Sequence, residues 1–304
     1  MNLLKKIFIA LILWRLFGPE IRPSFAPNQT HPMEIPGRTV FVNGREVFIR
    51  EAGPVDGLPI VLVHGWGDPS NVIYARIMPA LAEEFRVIAV DNRDAGKSDA
   101  VRSRYEIADA ADDLAGVLDA LDLTGCAVFG YSMGGMIVQE LAHRRPDLVG
   151  KIGLGGTAAH VSIGGTAGAM LASIAFYLAR GIERFTRSEV SFVRTKYLER
   201  VGAISANEAQ HFWLQSIGRD PESYWAAGFA ASGFDSRYWV SSITVPALVI
   251  VNTADQLVPA AAQDDLGKRL AGAVVVELVG ARHEAPLTHH AEMVAAISNW
   301  LAGD

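Results

Sequence analysis

The sequence predicts an α/β domain: a mostly parallel, eight-stranded sheet with helices on both faces and an inserted helical segment. Short apolar runs alternate with helical stretches along most of the chain, and the runs are nearly continuous in hydrophobicity. A strand covered on both faces is apolar at every position, whereas a half-exposed strand alternates. One stretch, 158–239, breaks this rhythm with helical patterns and no buried strand. With 304 residues, half of them hydrophobic, 29 Gly and 14 Pro, the chain suits one large domain with an insertion.

The elements follow in order. Lys5 and Lys6 precede a short apolar run, 7–14, that is too brief to span a bilayer. Two readings stay open for residues 3–17: a helix lying on a membrane surface, or one docked on the domain. Each is compatible with a cytoplasmic or membrane-associated protein. Secretion ranks behind both, because Pro27 directly follows the only nearby small-residue site, Ser24-Phe25-Ala26. Five prolines between Pro19 and Pro36 mark a linker, so 1–37 stands apart from the domain.

Runs 38–42 and 46–51 flank Asn43-Gly44, which predicts an antiparallel hairpin because both turn positions tolerate positive φ. Six buried strands are expected at 60–63, 87–90, 126–129, 152–154, 247–251 and 274–278. Helices are expected at 74–84, 105–121, 133–145, 260–270 and 289–301, with Thr288 placed to cap the last. The core is therefore 38–157 and 240–304, and 158–239 is a helical cap. The cap carries a capping-box pattern at Ser205-Ala206-Asn207-Glu208. It is rich in aromatics: Phe176, Tyr177, Phe185, Phe192, Tyr197, Phe212, Trp213, Tyr224, Trp225 and Phe229. Most serve the cap's own core, and its inner face is expected to line an apolar pocket.

Composition excludes some chemistry. A formal charge of −6 lacks the basic stripe that nucleic acid requires. The lone Cys126 can form neither an internal disulfide nor a Cys-rich zinc site, and it reads as a buried strand position. His283, His289 and His290 match no common zinc spacing, so no metal or cofactor is expected.

The chemistry centres on Gly130-Tyr131-Ser132-Met133-Gly134-Gly135, between a strand and a helix. A hydroxyl nucleophile must stand clear of the sheet, and a sharp strand-to-helix turn provides that at the cost of backbone strain. Close chain approach excludes side chains two residues either side, hence Gly130 and Gly134. The base is His283, in the loop between the last strand and the last helix, where parallel sheets place their sites. Asp255 follows the preceding strand and can accept a hydrogen bond from the imidazole. Rival acids Asp264 and Asp265 fall inside the next helix. The chain order Ser, Asp, His is the order expected of such a sheet. Strand 60–63 runs into His64-Gly65-Trp66-Gly67, which can aim the backbone N–H of Trp66 at the site opposite that of Met133, a pair of oxyanion donors. His64 itself reads as structural.

Together these marks, with Asp91-Asn92-Arg93-Asp94-Ala95-Gly96-Lys97-Ser98, resemble the α/β-hydrolase superfamily across about 39–301. The branch resembled is esterase-like, with a helical cap over a cofactor-free serine triad. Two positions depart from the pattern. Asp94 replaces a usual glycine, and Asn252 stands where glycine is common; both residue types tolerate left-handed backbone. The resemblance implies acyl transfer to water. Ser132 disfavours the dehalogenase and most epoxide-hydrolase chemistries, which look for Asp at the nucleophile. The expected function is cleavage of a carboxylic ester or lactone of an apolar small molecule through an acyl-enzyme. A carbon–carbon bond hydrolase, a lipase-like enzyme and a non-catalytic ligand receptor are the alternatives.

Overall fold

The computed structural model describes residues 35–93, 95–99, 105–161, 189–217 and 220–303. The N-terminal segment, Asp94 and the cap aromatics Phe176, Tyr177 and Phe185 lie outside the described residues.

Eight strands form one sheet: β1 (Gly37–Val42), β2 (Arg45–Ala52), β3 (Pro59–Val63), β4 (Arg86–Val90), β5 (Cys126–Tyr131), β6 (Val149–Gly155), β7 (Ala247–Asn252) and β8 (Val274–Leu278). Their order is β1-β2-β4-β3-β5-β6-β7-β8. The β1–β2 and β2–β4 pairs are antiparallel, and all others are parallel. Asn43 and Gly44 turn the hairpin with φ of 50° and 80°, the positive values this two-residue turn demands.

Ten helices are described: α1 (Ser70–Ile73), α2 (Ile77–Leu81), α3 (Ile107–Ala120), α4 (Met133–Arg144), α5 (Glu189–Arg200), α6 (Ala209–Ile217), α7 (Pro221–Ser232), α8 (Ala260–Arg269), α9 (Ala285–Thr288) and α10 (His290–Ala302). The core has two layers. Val61, Val63, Ile88, Val90 and Val128 face α3, α4 and α8. Ile60, Leu62, Val87, Ala89 and Phe129 face α2 and α10. Adjacent residues of one strand thus pack into opposite layers, which is why these runs are apolar throughout.

Four expectations need correction. The helix expected at 74–84 is shortened to α2, Ile77–Leu81, and Tyr74, Ala75 and Arg76 form a turn that separates it from the earlier short helix α1. Pro79 explains the break: a helix begun at Tyr74 would need its missing N–H and would clash with the Ala75 carbonyl, so the helix restarts at Ile77. Thr288 does not cap α10. It ends the short helix α9, its hydroxyl donating to Glu284 O (3.2 Å), and His289 precedes α10 instead. Strand β8 is an edge, with Val274 and Val275 exposed, because only β7 pairs with it. Asn252 is not left-handed; it is the last residue of β7.

Between β6 and β7 the described chain is helical, apart from one isolated bridge pairing His160 with Asp235. Helices α5 and α6 enclose a small core of Leu198, Ala203, Ile204, Ala209 and Phe212, completed by Val72 and Leu287 from outside the insertion. At the foot of α6 the Glu208 carboxylate accepts from the Ser205 backbone N–H (2.6 Å), the glutamate half of a capping box. The same carboxylate accepts two bonds from Arg76 (3.0 Å each), tying the insertion to the α1–α2 turn.

Candidate active site

The predicted site residues come from four chain segments, all at the carboxyl ends of parallel strands. Ser132 is the hinge between β5 and α4, with φ 56° and ψ −122°. Such a backbone costs on the order of 1–3 kcal/mol for a non-glycine residue, and the turn is over-determined by its neighbours. A Cβ on Gly130 would lie 2.3 Å from Gly134 O, and one on Gly134 would lie 2.1 Å from Val63 O. The Ser132 N–H donates to Gly155 O (2.9 Å), fastening the turn to β6.

His283 Nε2 lies 2.9 Å from Ser132 Oγ, and its Nδ1 lies 2.8 Å from Asp255 Oδ2. The Asp255 side chain is fully buried. Burial raises its pKa, but hydrogen bonds from His283 and from the Leu257 and Val258 N–H groups outweigh that and hold the carboxyl below its ordinary value. Those two N–H groups meet Oδ1 at 2.8 and 3.0 Å. The carboxylate therefore stays ionised, its other oxygen turned to the imidazole. Asp264 and Asp265 lie away from this line, paired with Lys268 and Arg269 on α8.

The loop after β3 closes the other side. A Cβ on Gly65 would stand 2.9 Å from Ser132 Cβ, so only glycine permits this approach. Met133 is the first residue of α4, and its N–H has no acceptor within the helix. Trp66 and Met133 both line the cavity into which Ser132 opens. His64 is buried and uses both ring nitrogens: Nδ1 donates to Gly65 O (2.7 Å), and Nε2 accepts the Asn92 N–H (2.9 Å). Burial pushes its pKa down, so the ring is neutral and holds the loop in place.

The cavity measures about 460 Å³ and is bounded by Ile73, Met136, Val161, Leu198, Leu257 and Leu287 as well as the site residues. Of the cap aromatics, Tyr197 and Tyr224 reach it, whereas Phe212 packs in the cap's own core. The cap also grips the loop after β3. Trp66 Nε1 donates to Tyr224 O (2.6 Å), and the two rings stack 4.6 Å apart. Asp68 accepts two hydrogen bonds from Arg194 on α5.

Three buried neighbours of Asp255 and His283 are given no role in the sequence reading. Tyr131, Asn252 and Gln263 are buried and bonded around Asp255 and His283. Only Asn252 left a trace, as a departure from glycine. Among the described residues, no three His, Cys, Asp or Glu side chains gather as metal ligands would. Cys126 is buried in β5, and burial pushes its thiol up to about 11, which leaves it protonated and unreactive.

Comparison with known proteins agrees with this architecture. Residues 59–290 match the family model described as alpha/beta hydrolase fold. A non-heme chloroperoxidase of Streptomyces lividans is 28% identical over 83% of this chain and 95% of its own length. A pimeloyl-[acyl-carrier protein] methyl ester esterase of Neisseria meningitidis serogroup B is 29% identical over 78% of this chain and 90% of its own. Among solved structures, the enol-lactonase from Burkholderia xenovorans LB400 superposes with a TM-score of 0.74. It is 26% identical and covers 88% of this chain and all of its own.

Proposed function

Because the chain belongs to the α/β-hydrolase family, as a hydrolase of its esterase-like part, we propose that it cleaves a carboxylic ester or lactone of an apolar small molecule through an acyl-enzyme. The observation that carries the reading is the unbroken hydrogen-bond line from Ser132 Oγ through His283 to Asp255, at 2.9 and 2.8 Å.

Ser132 Oγ attacks the substrate carbonyl while His283 Nε2 takes its proton, and the resulting imidazolium is stabilised by the ionised Asp255. The tetrahedral oxyanion is met by the N–H groups of Trp66 and Met133, with the positive end of α4 behind the latter. His283 returns the proton to the departing alcohol oxygen. It then deprotonates water, which releases the acid and restores Ser132. For a lactone, alcohol and acid leave as one molecule. The apolar lining of the cavity supports an apolar acyl or alcohol group, as does its volume, which lies within the range of small-molecule pockets. In this reading 158–239 is a cap over a core of 38–157 and 240–304, with 1–37 outside both.

A panel of esters and lactones of graded chain length tests the proposal, with ring-cleavage diketones and halide oxidation as competing assays. The expected result is ester or lactone turnover that falls at least about a thousandfold in Ser132→Ala. Absence of ester and lactone turnover removes the reading. A Ser132→Ala protein that still binds a ligand left unturned by the wild type points instead to a receptor.

A further inference from the structure

The hydrogen bonds around His283 close into a ring. Its Nδ1 meets Asp255 Oδ2 at 2.8 Å, and Asn252 Nδ2 reaches the same carboxylate oxygen at 3.4 Å. Asn252 Nδ2 also donates to Tyr131 Oη (2.7 Å), and Tyr131 Oη donates to the main-chain carbonyl of His283 itself (2.8 Å). The histidine is thus held at both ends, by its ring and by its backbone.

The surroundings are built for this ring. A Cβ on Gly156 would lie 2.7 Å from Tyr131 Cζ, and one on Gly155 would lie 3.1 Å from Cδ2, so the two glycines form the socket for the phenol. Burial pushes the Tyr131 pKa well above the ordinary tyrosine value, so the hydroxyl keeps the proton it donates. Asn252 is fully buried, yet among the described residues its amide oxygen meets no hydrogen-bond donor. An unpaired buried polar atom costs stability, and Leu248, Val249, Ile250 and Val251 fill the rest of β7. The side-chain bonds that Asn252 does make are carried by its nitrogen, to Tyr131 and Asp255. Gln263 braces it: Oε1 accepts the Asn252 N–H (2.9 Å), and Nε2 donates to Val258 O (2.7 Å).

We propose that Tyr131 and Asn252 are positioning residues for the base, fixing the loop that carries His283 through that loop's own carbonyl. The inference rests on the hydrolase reading above. A base that serves Ser132, a leaving group and water in turn must keep its place to within about 0.5 Å; Ala254 N–H and Thr253 Oγ1 fasten the start of the loop at Ala281 O and Gly280 N–H, and the Tyr131 hydroxyl fastens the main chain of His283 itself.

Tyr131→Phe deletes one oxygen and leaves the ring in its socket. The expected result is a kcat lower by about tenfold with KM within about twofold of the wild type. Asn252→Ala is expected to give a similar loss, and the double variant no more than the worse single one, because either change opens the same ring. A readout free of turnover is the low-field proton resonance of the His283–Asp255 bond, identified by its absence in His283→Ala. It is expected to be sharp in the wild type and broadened in Tyr131→Phe by faster exchange. Wild-type kcat in Tyr131→Phe, a change confined to KM, or fully additive losses would overturn the proposal. A wild type inactive on every ester removes the hydrolase reading, whereas a resonance identical in wild type and Tyr131→Phe removes the ring.

Discussion

Asp255 is the residue whose environment says most about the chemistry. Two backbone N–H groups and the imidazole outweigh the effect of its burial, so in the proposed mechanism it acts as a fixed negative charge and not as a proton carrier. Asp255→Asn keeps the shape but presents a donor where an acceptor is needed, favouring the wrong imidazole tautomer. It is expected to lower kcat by about 10³–10⁴-fold, measured on the best ester of the panel, with little change in KM. A loss of less than tenfold would mean that another group orients His283. At this scale the three residues of the proposed triad, which the structure brings into hydrogen-bond contact, stood out because each sits in a strand-end loop with local marks: a glycine-flanked serine, and an acid and a histidine after successive strands. Tyr131 and Gln263 carried no such mark. Their roles arise where β5, β7 and α8 meet, and nothing in the neighbouring sequence of either residue encodes that meeting.

The elements were legible where local chemistry decides them and illegible where a neighbour does. Asn43-Gly44 fixes a hairpin by itself, and Pro79, in the first turn of α2, keeps that helix from beginning as early as Tyr74. Thr288 has the side chain of a cap, but α9 takes it into its last turn and leaves His289 before α10. The contact of the cap with the loop after β3 is likewise a property of two elements. Trp66 and Asp68, on either side of Gly67, are both held from the insertion, by Tyr224 on α7 and Arg194 on α5. In the proposed mechanism the Trp66 N–H is therefore steadied by the insertion. Arg194→Met, which keeps the bulk and removes the bonds to Asp68, is expected to lower kcat about five- to tenfold. Steady-state kinetics on a short-chain and a long-chain ester check this. Equal losses on both are expected of a displaced donor, whereas a loss on one chain length alone would mark Arg194 as a substrate contact.

For the whole molecule, apolar runs between helices specify a covered parallel sheet, and six of the eight strands appear where those six runs lie, the other two being the hairpin strands β1 and β2. Strand order is another matter. That β3 lies between β4 and β5, and that β8 forms an exposed edge, follows from how the crossovers pack and not from the hydrophobicity of any one run. Stability against pH is also a property of the whole fold. His64 is buried and neutral with its pKa lowered by burial, so the unfolded chain binds a proton there before the folded one does. Its contribution is complete above about pH 6.5 and is lost as pH falls from there through the lower folded value. Asp255, also depressed, adds a second loss further down, as pH drops below the ordinary carboxylate range. Melting temperature is therefore expected to fall steadily from pH 7 to pH 5 in the wild type, and less steeply in His64→Asn. A flat wild-type profile across that window would contradict the assignment of His64 as a neutral brace.

The central claim is that Ser132 is made nucleophilic by His283, and reaction with a fluorophosphonate probe followed by peptide mass mapping tests it most directly. The account predicts one adduct, on the peptide bearing Ser132, absent in Ser132→Ala and formed at least about a hundredfold more slowly in His283→Ala. A folded wild-type protein that takes up no label, or labelling of Ser132 at an unchanged rate without His283, would contradict it.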